Sequence, residues 1–126
     1  MTNMIHVLLV DDDEDEYVIM QEFLADESGF VVHWTDSYDD ALTSMCRSEY
    51  DVYLVDYRLG AYNGLDLSYQ AMLCGCHSPI ILITGMGDQT VSAQAFETGV
   101  ANYLHKDAMD KNQLINTIIA TLEQHR

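Results

Sequence analysis

Asp11, Asp12, Asp56, Thr84 and Lys106 are the residues of this chain whose types and placement suit chemistry. Each stands just past an apolar run. Val7-Leu8-Leu9-Val10 ends in Asp11-Asp12, and Val52-Tyr53-Leu54-Val55 ends in Asp56. Ile80-Ile81-Leu82-Ile83 ends in Thr84, and Tyr103-Leu104 leads through His105 to Lys106. Carboxylates are the hard oxygen donors that divalent cations prefer. A hydroxyl and an ammonium are donors suited to phosphoryl oxygens. One Asp at a strand end is often only a helix cap. Five such groups gathered at one edge of one sheet would be a site for a divalent cation and a phosphoryl group. Asp13 reads as a cap or a solvated acid.

That gathering requires the runs to be parallel strands. Ligands of open parallel sheets bind beyond the carboxyl ends of the strands. The pattern along the chain supports this. A strand near 5–10 is followed by a helix near 14–26, with Tyr17, Val18, Met20, Phe23 and Leu24 mostly on one face. Glu14, Asp15 and Glu16 suit its first turn, where the helix dipole favours negative charge. Strands follow near 30–34 and 51–56, separated by a helix that Ser37 caps and that turns Ala41, Leu42 and Met45 inward. Residues 57–63 read as a loop and 65–73 as a helix. Pro79 opens a fourth strand, where its missing N–H is harmless. A helix near 88–98 and a strand at 101–105 come next. The last helix opens with Asp110 and Gln113 at capping-box spacing and buries Leu114, Ile115, Ile118, Ile119 and Leu122. Five βα units whose central strands are apolar on both faces predict an α/β fold, a doubly wound parallel sheet with helices on both faces. A flavodoxin-like strand order of 2-1-3-4-5 would bring Asp11, Asp12 and Asp56 into one crevice.

Composition narrows the function. The 126 residues fit one compact domain, 1–126, and 48% of them are apolar. The 21 acids against 5 bases give a net charge of −16, a surface that repels nucleic-acid backbones and anionic membranes. Direct nucleic-acid binding and membrane attachment are therefore not expected. No apolar run approaches the roughly 20 residues of a membrane span. The start shows no basic-then-apolar leader, so the expected compartment is the cytoplasm. There Cys46, Cys74 and Cys76 are expected to be reduced thiols. Cys74-Gly75-Cys76-His77 lacks a second ligand pair for zinc and reads as a helix end with Gly75 as the stop.

Four stretches together resemble the receiver domain of bacterial two-component response regulators. They are Val-Asp-Asp at 10–12, Leu-Val-Asp-Tyr-Arg-Leu-Gly at 54–60 with Asn-Gly-Leu-Asp-Leu at 63–67, Ile-Leu-Ile-Thr-Gly at 81–85, and Gly-Val-Ala-Asn-Tyr-Leu-His-Lys at 99–106. The resemblance runs over essentially the whole chain. It implies that Asp56 is the phosphoacceptor, fed by a histidine kinase or a phosphotransfer protein. It implies that Asp11 and Asp12, with Asp56 and the backbone carbonyl of Arg58, hold Mg²⁺, for which Mn²⁺ can substitute. Thr84 and Tyr103 are then the switch residues and Lys106 the phosphate-binding lysine. Such a protein is a signalling switch, not an enzyme, and catalyses only its own phosphorylation and dephosphorylation. Phosphorylation is expected to change the face formed by the fourth helix, the fifth strand and the last helix. Gln89, Gln94, Glu97, His105 and Lys111 are candidate surface residues there.

Two departures from the family pattern stand out. Asp107 follows Lys106 where the family usually has proline, often after a cis bond. A cis bond without proline costs about 2.5–4 kcal/mol, which leaves that peptide's geometry open. Arg58-Leu59-Gly60 replaces a common Met-Pro segment and gives a more permissive loop. Neither removes a reacting group.

Other readings fit less well. A haloacid-dehalogenase-like phosphatase would use Asp11-x-Asp13, but the late acidic motif and cap domain of that class are missing. A calcium loop from Asp11 to Glu22 has Glu16 where the sharp turn needs glycine. A degenerate receiver that binds partners without phosphorylation would not need the intact acids, Thr84 and Lys106. The output, whether a downstream protein or a covalently linked domain, is not legible in these residues.

Overall fold

The computed structural model describes residues 4–25, 29–85 and 99–125. The helix expected near 88–98, with Gln89, Gln94 and Glu97, lies outside the described residues. The strands are β1 (Ile5–Val10), β2 (Phe30–Thr35), β3 (Val52–Asp56), β4 (Arg58–Leu59), β5 (Tyr62–Asn63), β6 (Ile80–Thr84) and β7 (Asn102–His105). The helices are α1 (Glu14–Ala25), α2 (Tyr38–Arg47), α3 (Gly64–Leu73) and α4 (Lys111–His125), with a 3₁₀ turn at Lys106–Ala108.

The main sheet has five parallel strands in the order β2-β1-β3-β6-β7. Once the small hairpin is set aside this is the flavodoxin-like order 2-1-3-4-5. β3 and β6 are buried along their whole lengths, because both faces of the sheet are covered. Alternation along each strand divides the core in two. Leu8, Val10, Tyr53, Val55 and Leu82 pack with Ala41 and Met45 of α2 and Leu67 and Ala71 of α3. Val7, Leu9, Leu54, Ile81 and Ile83 pack with Met20 and Leu24 of α1 and Leu114 and Ile118 of α4. Right-handed crossovers force this split, sending helices to opposite faces on either side of β1 and β3.

The local signals act as their chemistry predicts. Ser37 Oγ accepts from the Asp40 N–H at 3.1 Å, and Asp110 Oδ1 accepts from the Gln113 N–H at 2.8 Å. Asp13 Oδ1 accepts from the Asp15 N–H at 2.9 Å, so Asp13 caps α1. Gly75 ends α3 with φ +86°, and the Gly75 and Cys76 N–H groups reach back to Met72 and Ala71 carbonyls. Two helix faces differ from expectation. Val18 is exposed on α1, and on α4 Ile119 is exposed while Thr121 is buried. The Thr121 hydroxyl fits inside because it donates to Thr117 O at 2.6 Å.

Two further expectations are corrected. Residues 57–63 are not an irregular loop but contain the antiparallel pair β4–β5, turned at Gly60 with φ +63°. And Cys46 and Cys74 are not reduced thiols. The ends of α2 and α3 lie side by side with these Cα atoms 5.4 Å apart, and a disulfide joins them; Cys76 remains free. The bond closes a loop between residues 28 apart. Its loss frees the unfolded chain by on the order of 3 kcal/mol, which lowers the melting temperature by about 10 °C. Calorimetry with and without a phosphine reductant, beside Cys46→Ser, checks this; identical melting curves would count against it.

Candidate functional site

The carboxyl ends of β1 and β3 flank the point where the helices change faces, and the acids converge there. Asp11 follows β1, its N–H donating to Thr35 O at 3.1 Å, and is fully buried. Asp56 ends β3 and is 3% exposed, while Asp12 is exposed. One carboxylate oxygen from each of Asp11, Asp12 and Asp56 lies within 4.8 Å of the others. Asp11 Oδ1 accepts from the Asp13 N–H at 2.9 Å, whereas buried Asp11 Oδ2 has no hydrogen-bond partner among the described residues. A buried oxygen of this kind is costly unless something positive faces it. Burial first, and the neighbouring Asp56 charge second, push the Asp11 carboxyl up to about 7. The orphaned oxygen and an all-oxygen donor set fit a hard divalent cation.

Lys106 supplies the counter-charge. Its Nζ donates to Asp56 Oδ2 at 3.1 Å and stands 3.8 Å from Glu16 Oε1. Burial pulls this ammonium's pKa down, but the bond to Asp56 and the charges of Asp56, Glu16 and Asp11 outweigh it and hold it above the ordinary lysine value. Lys106 therefore stays charged through the neutral range. The Lys106–Asp107 peptide is trans, as are all peptides among the described residues. The lysine reaches Asp56 without proline after it, and the chain continues from Lys106 into a 3₁₀ turn at Lys106–Ala108.

Thr84 and Arg58 complete the rim. Thr84 is 1% exposed and ends β6. Its hydroxyl lies 3.4 Å from Leu104 O and 3.1 Å from His105 Nδ1, so it is engaged on the β7 side and not toward Asp56. Tyr103 is half-buried and meets the His105 ring edge-on at 5.4 Å. The Arg58 N–H donates to Asp56 Oδ1 at 3.3 Å, and its guanidinium lies 6.0 Å from the Tyr57 ring centre. Lys111 opens α4.

Three neighbours of the site were not singled out by sequence as parts of it. Glu16 looked like a dipole-complementing acid, yet it stands beside Lys106. Trp34, the only tryptophan, donates Nε1–H to Asp11 O at 2.8 Å. Gly64 lies under Asp56. A Cβ there would sit 2.6 Å from Asp56 O and 2.8 Å from Leu82 Cδ1. Gly64→Ala must therefore displace the backbone that carries Asp56, at a cost of about 3 kcal/mol. Urea denaturation of this variant checks it; a shift below a tenth of the wild-type stability would show that the strand yields freely.

A flavodoxin-like sheet with three acids at its switch point and a lysine just past the last strand places the chain among the doubly wound α/β proteins with an acidic site at the carboxyl edge. The response regulator receiver domain model matches residues 7–119, and the chain belongs to that family, the phosphorylated module of two-component signalling. The chain is 30% identical over 120 residues to the C4-dicarboxylate transport transcriptional regulatory protein DctD of Pseudomonas aeruginosa, covering 95% of this chain and 26% of that protein. It is 32% identical over 106 residues to the alginate biosynthesis transcriptional regulatory protein AlgB of Pseudomonas syringae, covering 82% of this chain and 23% of that protein. The chain thus spans about a quarter of the length of these curated relatives. Among solved structures, full-length FixJ from B. japonicum superposes with a TM-score of 0.87 at 23% identity, over 99% of this chain and 61% of FixJ. A CheY-like receiver domain protein from Methanospirillum hungatei gives 0.85 at 21%, over 98% and 97%. At these identities the structures speak for the fold alone. Among the described residues no helix is long and apolar enough to cross a membrane.

Proposed function

We propose that Asp56 accepts a phosphoryl group from a phosphohistidine of a histidine kinase or phosphotransfer protein, and that the chain is a switch set by that group. The observation that carries this reading is the Asp56 carboxylate, nearly buried, held by the Lys106 ammonium at 3.1 Å and within 4.8 Å of the Asp11 and Asp12 carboxylates. An Asp56 oxygen attacks phosphorus, the P–N bond breaks, and the imidazole leaves with the electron pair. Phosphoryl transfer is mostly positioning and charge neutralisation. Lys106 is held where it can pass from Asp56 to a phosphoryl oxygen. Asp12, Asp56 and the Arg58 carbonyl would hold Mg²⁺ directly, and Asp11 mainly through water; Mn²⁺ offers the same preference for oxygen. When bound, the ion neutralises the charge that the acids and the phosphoryl oxygens share.

In this reading Thr84 gives up its contacts on β7 for a phosphoryl oxygen. Tyr103 turns into the space left. The face that carries β7 and α4 then presents a different surface, with His105 and Lys111 on it, to a downstream protein or a covalently linked output domain. The net charge of −16 supports protein partners over nucleic acid or membrane, and a cytoplasmic location suits a kinase-fed switch.

Intact mass after incubation with acetyl phosphate tests the reading. One phosphoryl adduct that needs Mg²⁺ is expected. A folded protein that binds Mg²⁺ and beryllofluoride weakly or not at all, and takes no adduct, would overturn it in favour of a receiver working without phosphorylation.

A further inference from the structure

We infer that His105 is a positioning residue that latches Thr84 in the unphosphorylated arrangement and so sets how readily the switch turns on. This rests on the reading of Thr84 as the residue that moves to the phosphoryl group. β6 lies between β3, which carries Asp56, and β7, which carries His105. In the register Thr84 is directly paired with His105, and Ile83 with Asp56. The contacts of the Thr84 hydroxyl to Leu104 O at 3.4 Å and His105 Nδ1 at 3.1 Å both lie on the β7 side. A phosphoryl oxygen on Asp56 would lie on the β3 side.

A hydroxyl has one proton. If it is given to Leu104 O, the His105 Nδ1–H donates to Oγ1; otherwise a bare Nδ1 accepts it. In either tautomer the imidazole contact must break before Thr84 turns. The same ring meets Tyr103 at 5.4 Å, edge to face at 82°. Residues 103 and 105 share one face of β7. One exposed side chain therefore touches both residues of the switch. His105 is an exposed residue and no part of either core cluster, so packing alone does not call for an imidazole there.

Beryllofluoride with Mg²⁺, titrated against Trp34 fluorescence and checked by fluorine NMR, reads the balance. Trp34 is suited to report because its indole N–H is bonded to Asp11 O at 2.8 Å. Removing the latch is expected to lower the midpoint for His105→Ala by about three- to tenfold, the worth of one hydrogen bond. His105→Asn, whose side-chain amide reaches the place of Nδ1, restores the wild-type midpoint, and His105→Gln does not. In a Thr84→Ala background His105→Ala has no further effect, as a double-mutant cycle requires of a coupled pair. An unchanged midpoint for His105→Ala, or a change undiminished by Thr84→Ala, overturns the latch and leaves the phosphoacceptor reading standing. Beryllofluoride binding by wild type that survives Asp56→Asn, or no binding at all, removes that reading and the latch with it.

Discussion

Asp56→Asn is expected to fold, to bind Mg²⁺ more weakly, and to take no phosphoryl group from acetyl phosphate, the intact-mass adduct falling to background. The substitution keeps the shape of the side chain but replaces a nucleophilic oxygen pair with an amide, whose nitrogen lone pair is delocalised and does not attack phosphorus. It also removes the anion that Lys106 holds at 3.1 Å and one of the three acids of the pocket. Folding is expected to survive, because a neutral group at that place relieves Asp11 of its neighbouring charge while Glu16 still faces Lys106 at 3.8 Å. An adduct of undiminished yield on the variant would move the nucleophile to Asp11 or Asp12.

The second large effect is on stability. Without metal, the protein is expected to lose stability as pH rises from about 4 through about 7. The Asp11 carboxyl sits at about 7 in the fold, raised by burial first and by Asp56 second, against an ordinary value of 3.8. The folded state thus holds this proton more tightly than the unfolded chain does. The stabilisation is complete below the unfolded value and is lost as pH climbs through the folded one. Between those values the loss is on the order of 4 kcal/mol, at 1.36 kcal/mol for each pH unit. If the site holds Mg²⁺ as proposed, the ion competes with the same proton and needs the folded site, so it is expected to raise the melting temperature little near pH 5 and most near pH 8. Asp11→Asn removes both effects: its metal-free stability is flat across this window, exceeds that of wild type near pH 8, and responds little to Mg²⁺. Urea denaturation at several pH values, with chelator or with millimolar Mg²⁺, decides the matter. Parallel curves for wild type and Asp11→Asn would show that Asp11 ionises without cost.

Much of the site was legible because its parts sit at the ends of strands. A strand buried on both faces is a short apolar run with polar punctuation, and β3 and β6 are buried along their whole lengths. Asp56 and Thr84 therefore stood out as the first polar residues after such runs, and Asp11-Asp12 and Lys106 likewise. The caps Ser37 and Asp110 were legible for a similar reason, since they act on groups three residues away. The hairpin at 58–63 was not, because two-residue strands carry no period. Val18 and Ile119 were misjudged because helical spacing says which residues share a stripe, not how wide a stripe the neighbouring layer covers.

What the sequence by itself determined is the set of chemical groups, the succession of strands and helices along the chain, and the family that four motifs in order resemble. The groups and elements follow from local composition, and the expected strand order from the fold-level rule that polar ends of parallel strands meet at one edge. What only the tertiary structure decided is which groups touch. The orphaned Asp11 oxygen, Glu16 beside Lys106, Trp34 on the Asp11 carbonyl, the Cys46–Cys74 bond and the hold of His105 on Thr84 all join residues on different elements. Each such contact depends on the register and packing of whole elements to within an ångström, and a linear pattern of residue types does not carry distances across space.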